Sequence, residues 1–270
     1  MELAYSIFDP TGNITALVES PVAAVRQQEA AAAIMRLHPE VEQVGFLCLA
    51  GKDGLPGLRM AGGEFCGNAS MCAAALFSLR TGGAEKLRLY VSGSARPVEI
   101  TLHRIGENTF RAGLRMPPAV EITERAFAFE DLRGAMPLVR MQGISHLVAE
   151  KSTVFYSLLK DPQRAECAVK AFCLELGADG LGLLFLDGEG GDYRLTPLVY
   201  IPGSGTVFWE NSCASGSAAV GMYLAERRAS PVTVSLREPG GVLRVASDGR
   251  TGATDLYGSV RLTARHVFTL

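Results

Sequence analysis

No stretch of the sequence approaches the ~18 uninterrupted apolar residues that a membrane-spanning helix requires. The opening residues, MELAYSIFDPTGN, lack the basic and then apolar regions of a secretory signal, so a cytoplasmic protein with no membrane partner is expected. Basic runs are absent too. The 26 Lys+Arg are balanced by 28 Asp+Glu, a formal charge of -2, which argues against a dedicated nucleic-acid binder. No Cys-x-x-Cys occurs, and His38, His103, His146 and His266 stand singly, so no metal site is expected. The six cysteines do not read as a disulfide framework in a chain without a signal, and reduced thiols are the default. What is present is a globular composition, 48% hydrophobic and 20% charged over 270 residues. That is enough for a sizeable core and about two domains at roughly 150 residues each.

Thirty glycines and thirteen prolines cut the chain into short segments, most of them β-like. LAYSIFD, QVGFLCLA, LRLYVSG, PVEITLH and TFRAGLRM read as strands of a first domain. Helices are expected over 23–37 and after Cys66, the latter closed by Gly82 and Gly83. Pro117-Pro118 can continue neither a helix nor a central strand and marks the boundary. The first half is therefore 1–117, to which 262–270 could return, and the second is 118–261. The second repeats the grammar, with strands PLVRMQG, HLVAE, VFYSLL, GLGLLFLD, RLTPLVYIP, VTVSL, VLRVAS and SVRLTA and helices over 164–176 and 214–228.

One feature recurs about half a chain apart. Cys66 is followed by Gly-Asn-Ala-Ser and an Ala-rich helix, and Cys213 by Ala-Ser-Gly-Ser and a second helix. This reads as an internal pseudo-repeat, each half placing a cysteine at the mouth of its own helix. A helix mouth offers unpaired N–H groups and the positive end of the macrodipole, so it stabilises a thiolate or a ligand carboxylate. Small residues after each cysteine let a ligand come close. Two such mouths suit a two-base proton transfer at a carbon beside a carboxylate: one thiolate abstracts the α-proton and the other thiol protonates the opposite face. Donors on the carboxylate would stabilise the developing charge, and no cofactor would be needed. Cys48, Cys72, Cys167 and Cys173 read as small core hydrophobes.

At these residues the sequence resembles the diaminopimelate epimerase superfamily of cofactor-independent racemases. The shared marks are Gly12-Asn13, Cys66-Gly67-Asn68 and Cys213-Ala214-Ser215-Gly216. DPTGN, EQVGF, GGEFCGNAS, YVSG, PLVYIP, WENSCASGS and PGG, spread over nearly the whole chain, are similar to the branch of histidine racemases that serve staphylopine-like opine metallophores. The resemblance implies an α/β (α+β) fold of two pseudo-symmetric domains, each a strand-rich barrel-like sheet wrapped around a central helix, with the site in the cleft between the halves. It implies Cys66 and Cys213 as the base/acid pair. Gly67, Asn68, Ala214, Ser215, Gly216 and Ser217 would contact the α-carboxylate, Asn13 and Glu210 would hold the α-amino group or order the pocket, and Glu42 would meet an imidazole.

Departures narrow the substrate. Ser204 and Gly205 stand where diaminopimelate epimerases carry a Glu-Arg pair, and the asparagines for that substrate's distal arm are missing from GISH (143–146) and GLGLL (180–184). Ala214 stands where the branch has glycine, and its Cβ could narrow the mouth or alter the backbone. The expectation is an isomerase that racemises histidine. The alternatives are another small amino acid as substrate, a phenazine-biosynthesis-type isomerase, or a non-catalytic amino-acid-binding module. The oligomeric state is left open, a homodimer among the states allowed.

Overall fold

The computed structural model describes residues 2–49 and 51–269 and divides into two compact units. The first holds the chain up to Arg115 together with the residues from Tyr257 onward, the second Met116–Leu256.

Unit 1 contains β1 (Glu2–Asp9), β2 (Thr15–Val18), α1 (Gln27–Leu37), β3 (Gln43–Cys48), β4 (Gly57–Met60), α2 (Gly67–Arg80), β5 (Lys86–Val91), β6 (Val98–Arg104), β7 (Thr109–Arg115) and the greater part of β16 (Ala253–Thr269). The strands follow one another in order, and β16 pairs back on β1 from Asp9↔Arg261 to Glu2↔Thr269, closing an eight-stranded barrel. Closure removes both sheet edges. The β2–β3 and β4–β5 pairs are parallel, so each needs a crossover, which α1 and α2 supply. Successive side chains of β1 to β3 take opposite faces. Leu3, Tyr5, Ile7, Ala16, Val18, Val44 and Phe46 pack with Ala30, Ala31 and Ile34 of α1. Helix α2 is buried from Gly67 to Ser78, with neighbours in β2, β3, β5, β6 and β7, and occupies the barrel interior. Its run of Gly, Ala, Ser and Cys is what an interior this narrow admits.

Unit 2 repeats the plan with β8 (Glu121–Phe129), β9 (Leu132–Met141), β10 (Ile144–Glu150), α3 (Pro162–Leu176), β11 (Leu181–Glu189), β12 (Asp192–Ile201), β13 (Thr206–Trp209), α4 (Ala214–Arg228), β14 (Val232–Glu238) and β15 (Gly241–Asp248). The strand order is β15-β14-β12-β11-β10-β9-β8, with β13 on β12. The β10–β11 and β12–β14 pairs are again parallel and bridged by α3 and α4. The repeat is therefore topological as well as chemical. On one sheet face Phe172 of α3 packs on Phe127, Phe129 and Phe155 at centroid distances of 4.9, 5.9 and 5.6 Å, within a cluster that includes Leu138, Leu147, Leu183 and Leu198. Helix α4, buried from Ala214 to Met222, packs against β9, β10, β14 and β15.

The segment VFYSLL, expected as a strand, is a 3-10 helix spanning Val154–Lys160. Its burial repeats every three residues, Phe155 and Leu158 inward, which suits three residues per turn and not an alternating strand. Cys48 and Cys167 are exposed rather than buried, the first at the end of β3 and the second on the outer side of α3. Cys72 and Cys173 are core residues. No helix among the described residues is long and apolar enough to cross a membrane.

Candidate active site

Each cysteine singled out by the repeat caps a helix. Cys66 precedes α2 with extended backbone (φ -128°, ψ 111°), and its Sγ accepts the Ala69 N–H at 3.3 Å. Cys213 precedes α4 with nearly the same backbone (φ -119°, ψ 100°), and its Sγ accepts the Gly216 N–H at 3.3 Å. In both, the fourth residue closes the ladder onto the cysteine carbonyl, Ser70 at 3.0 Å and Ser217 at 2.8 Å. The first-turn N–H groups that an α-helix does not use in its own ladder are those of Gly67 and Asn68 in one mouth and of Ala214 and Ser215 in the other. Ala214 leaves the cap geometry of the repeat intact. Gly216 has a reason to be glycine: a Cβ there would lie 2.8 Å from Leu184 Cδ2 and 3.1 Å from Cys213 Sγ.

The surroundings of the two thiols differ. In unit 1 Cys66 hydrogen-bonds the side-chain carbonyl of Gln43, a neutral amide. Its neighbour Glu42 accepts Asn13 Nδ2 at 2.8 Å, so two of the residues singled out in the sequence are bonded to each other. Asn13 is fully buried. Its turn is held by Thr11, a β-branched residue in the left-handed region (φ 58°) whose hydroxyl bonds the Ser259 backbone N–H (3.1 Å) and carbonyl (3.2 Å). Strain of that kind persists only where neighbours over-determine it. Gly12, at φ 93°, donates its N–H to Asp9 Oδ1 at 2.7 Å. Two residues before Cys66, the Glu64 carboxyl is raised by burial and has one oxygen buried without a partner.

In unit 2 Cys213 faces acids. Its thiol bonds the carboxylate of Glu210 and lies 3.6 Å from Ser215 Oγ. Burial first, then the charges of Glu210 and Glu238, push the thiol well above the usual range. Glu238, at the end of β14, accepts the Cys213 N–H at 2.6 Å and the Ser217 hydroxyl. Burial raises its own carboxyl to about 8. His146 of β10 is fully buried with neither ring nitrogen partnered, and burial lowers it to about 3, so the ring is neutral. Two positions earlier on the strand, Ile144 packs with Cys213.

Gln43, Glu64, His146 and Glu238 were not singled out in the sequence. Glu238 left a signal: in VTVSLRE positions 232, 234, 236 and 238 are buried, so strict alternation places this acid on the inward face. Trp209 stacks on Phe185 (5.8 Å) and donates to Glu166 at 3.1 Å, and belongs to the packing around α3. Cys72 is fully buried, its thiol raised by burial and by the charges of Cys66 and Asp9. No cluster of three or more His, Cys, Asp or Glu suited to a metal occurs among the described residues.

Similarity to known proteins points to one family. A family model described as the histidine racemase CntK N-terminal domain matches residues 2–267. A histidine racemase of Fusobacterium nucleatum is 30% identical over 226 residues, 80% of this chain and 78% of that protein. A histidine racemase of Staphylococcus aureus is 26% identical over 264 residues, 91% of this chain and 88% of that protein. Among solved structures, a hydroxyproline epimerase from Agrobacterium vitis superimposes with a TM-score of 0.68 over 100% of this chain and 93% of that one. At 14% identity it shows a shared fold.

Proposed function

We propose that this chain, which belongs to the histidine racemase family and is an isomerase of the racemase class, interconverts L- and D-histidine without a cofactor, using Cys66 and Cys213 as a two-base pair. The observation that carries the mechanism is the repeated cap: in each unit a thiol sits at the positive end of a helix and takes the N–H three residues on.

In this reading the substrate carboxylate takes N–H donors from Gly67, Asn68, Ala214 and Ser215. They hold it in the ground state and bond more strongly as charge moves onto it from the α-carbon. One cysteine, as thiolate, removes the α-proton and becomes a thiol. The other, as thiol, delivers its proton to the opposite face and becomes a thiolate. The stereocentre inverts, and the two sulfurs have exchanged protonation states. The α-carbanion has no pyridoxal-type sink, so carboxylate donors and exclusion of water bear the load. Glu42, oriented by Asn13, is assigned to the imidazole N–H, and Glu210, bonded to the Cys213 thiol, to ordering that thiol. Consumption of D-histidine in an opine metallophore is the product use that the resemblance to that branch supports.

The test is incubation of the reduced protein with L-histidine in deuterated water, without added cofactor, beside a panel of other amino acids. Optical rotation and Cα deuteration are followed together. Loss of rotation with deuterium entry for histidine is expected. Cys66→Ser and Cys213→Ser should each lose racemisation by more than ~100-fold, one-sided α-proton exchange remaining at most. Full turnover in either variant rejects the two-base mechanism. Silence on histidine with turnover of another amino acid replaces the substrate, and silence throughout favours a binding module.

A further inference from the structure

Glu238 belongs to no motif, yet it fastens the mouth of α4. It is 5% exposed, the last of the inward positions of β14. One carboxyl oxygen accepts the backbone N–H of Cys213 at 2.6 Å, and the other accepts the hydroxyl of Ser217 one helical turn on. Beside it, the Gly240 N–H donates to the Asn211 carbonyl at 2.7 Å, tying the β14–β15 turn to the segment that leads into Cys213. Both ends of the first turn of α4 are thus pinned to the end of one strand.

We propose that Glu238 is a positioning residue for Cys213, which fixes the backbone of that cysteine and the first turn of α4 and, through its carboxyl, governs how readily the Cys213 thiol ionises. The assignment of Cys213 to catalysis rests on the racemase reading above. The control of the thiol rests on the hydrogen bonds and burial of Glu238 and stands without that reading.

The physical basis is the company the carboxyl keeps. No basic side chain pairs with Glu238 among the described residues; the ionisable groups that act on it or on Cys213 are each other and Glu210. Burial favours the protonated acid, while the two donated hydrogen bonds favour the ionised one. With the carboxyl neutral, Cys213 has one anionic neighbour in Glu210. Once Glu238 ionises, the thiol faces two, and forming a third anion in the same buried space becomes costly. Cys66 has the side-chain amide of Gln43 as a partner where Cys213 has these carboxyls. The two caps match while the side chains that meet them differ.

The experiment reads the thiol and needs no turnover. In a Cys66→Ser background, the rate of Cys213 alkylation by iodoacetamide is followed by peptide mass from pH 6.5 to 9.5. Glu238→Gln keeps an oxygen for the Cys213 N–H and a group for Ser217 but removes the charge. It should speed alkylation at pH 8 by ~5- to 10-fold and move its pH midpoint down by about one unit. Ser217→Ala removes one hydrogen bond that favours the ionised carboxyl, and should shift the rate in the same direction by about twofold. It also keeps the proposal testable if Glu238→Gln fails to fold. In the otherwise unaltered enzyme Glu238→Gln should leave KM within about threefold while moving the alkaline limb of kcat. Alkylation of folded Glu238→Gln and Ser217→Ala that tracks the parent rate at every pH overturns the proposal. Altered alkylation in a protein that racemises nothing would uphold it and reject the racemase reading instead.

Discussion

Replacing His146 with leucine should change how stability depends on pH. The ring is fully buried on β10, which runs between β9 and β11, with no partner on either nitrogen and a pKa of about 3 against 6.5 in the unfolded chain. A base depressed on folding contributes stability that is present above 6.5 and lost as pH falls toward 3, at about 1.4 kcal/mol per unit. Glu238, raised from 4.5 to about 8, slopes the other way: its contribution is present below 4.5 and lost as pH rises through 8. The two slopes cancel between 4.5 and 6.5. His146→Leu removes one of them, so the difference in unfolding free energy between variant and parent should widen by ~2 kcal/mol from pH 7 to pH 5, or roughly 4–8 °C in Tm. At pH 7 the variant should already be the more stable by about 1–3 kcal/mol, since two unsatisfied nitrogens leave the interior. Urea titrations of both proteins at half-unit pH steps provide the assay, with the 15N shifts of the ring as a direct check of its neutral form at pH 5. Parallel curves, within about 0.5 kcal/mol from pH 7 to 5, would refute the placement of a neutral, unpartnered ring in this interior.

Packing and thiol exposure yield two further expectations. Gly221→Ala in α4 would set a Cβ 2.4 Å from Val245 Cγ1 and 3.2 Å from its Cβ. The overpacking cost of about 1–3 kcal/mol should exceed the gain of up to ~1 kcal/mol in helix propensity. Thermal melts should show a lower Tm, partly restored by Val245→Ala, whereas a stabilised Gly221→Ala would mean that α4 does not lie this close to β15. With a disulfide reagent on the native protein, Cys48 and Cys167 should label first, and Cys72 and Cys173 only on unfolding; early labelling of Cys72 would contradict its place inside the barrel.

Much of this was legible along the chain. The helix after Cys213 spans the residues expected, 214–228, because good helix formers run between a capping residue and a polar stop. The two cysteines were legible because a thiol followed by small residues and an apolar helix is a local pattern. Short strands escaped. The four-residue β2, β4 and β13 are too brief to show alternation. The longer β8 has little of it, since Glu121 to Ala126 are largely exposed. VFYSLL has the apolar and aromatic composition of a strand, and only its three-residue burial period marks the 3-10 helix.

What the sequence determined by itself was local: most of the segments that are extended, where the main helices begin, and that both halves present a thiol at such a beginning. It also determined the family, since motifs in order along nearly the whole chain survive where overall identity is low. The tertiary structure decided which long-range neighbours each thiol acquires. Gln43 reaches Cys66 because β3 passes the mouth of α2 in the barrel, and Glu238 reaches Cys213 because β14 ends at the mouth of α4. Two caps with nearly identical backbone thus acquire different partners, one the Gln43 amide and one the Glu238 carboxyl. Thiol acidity depends on burial and on charges within a few ångströms, and those distances are set by strand order and register, which bring together residues far apart in the chain.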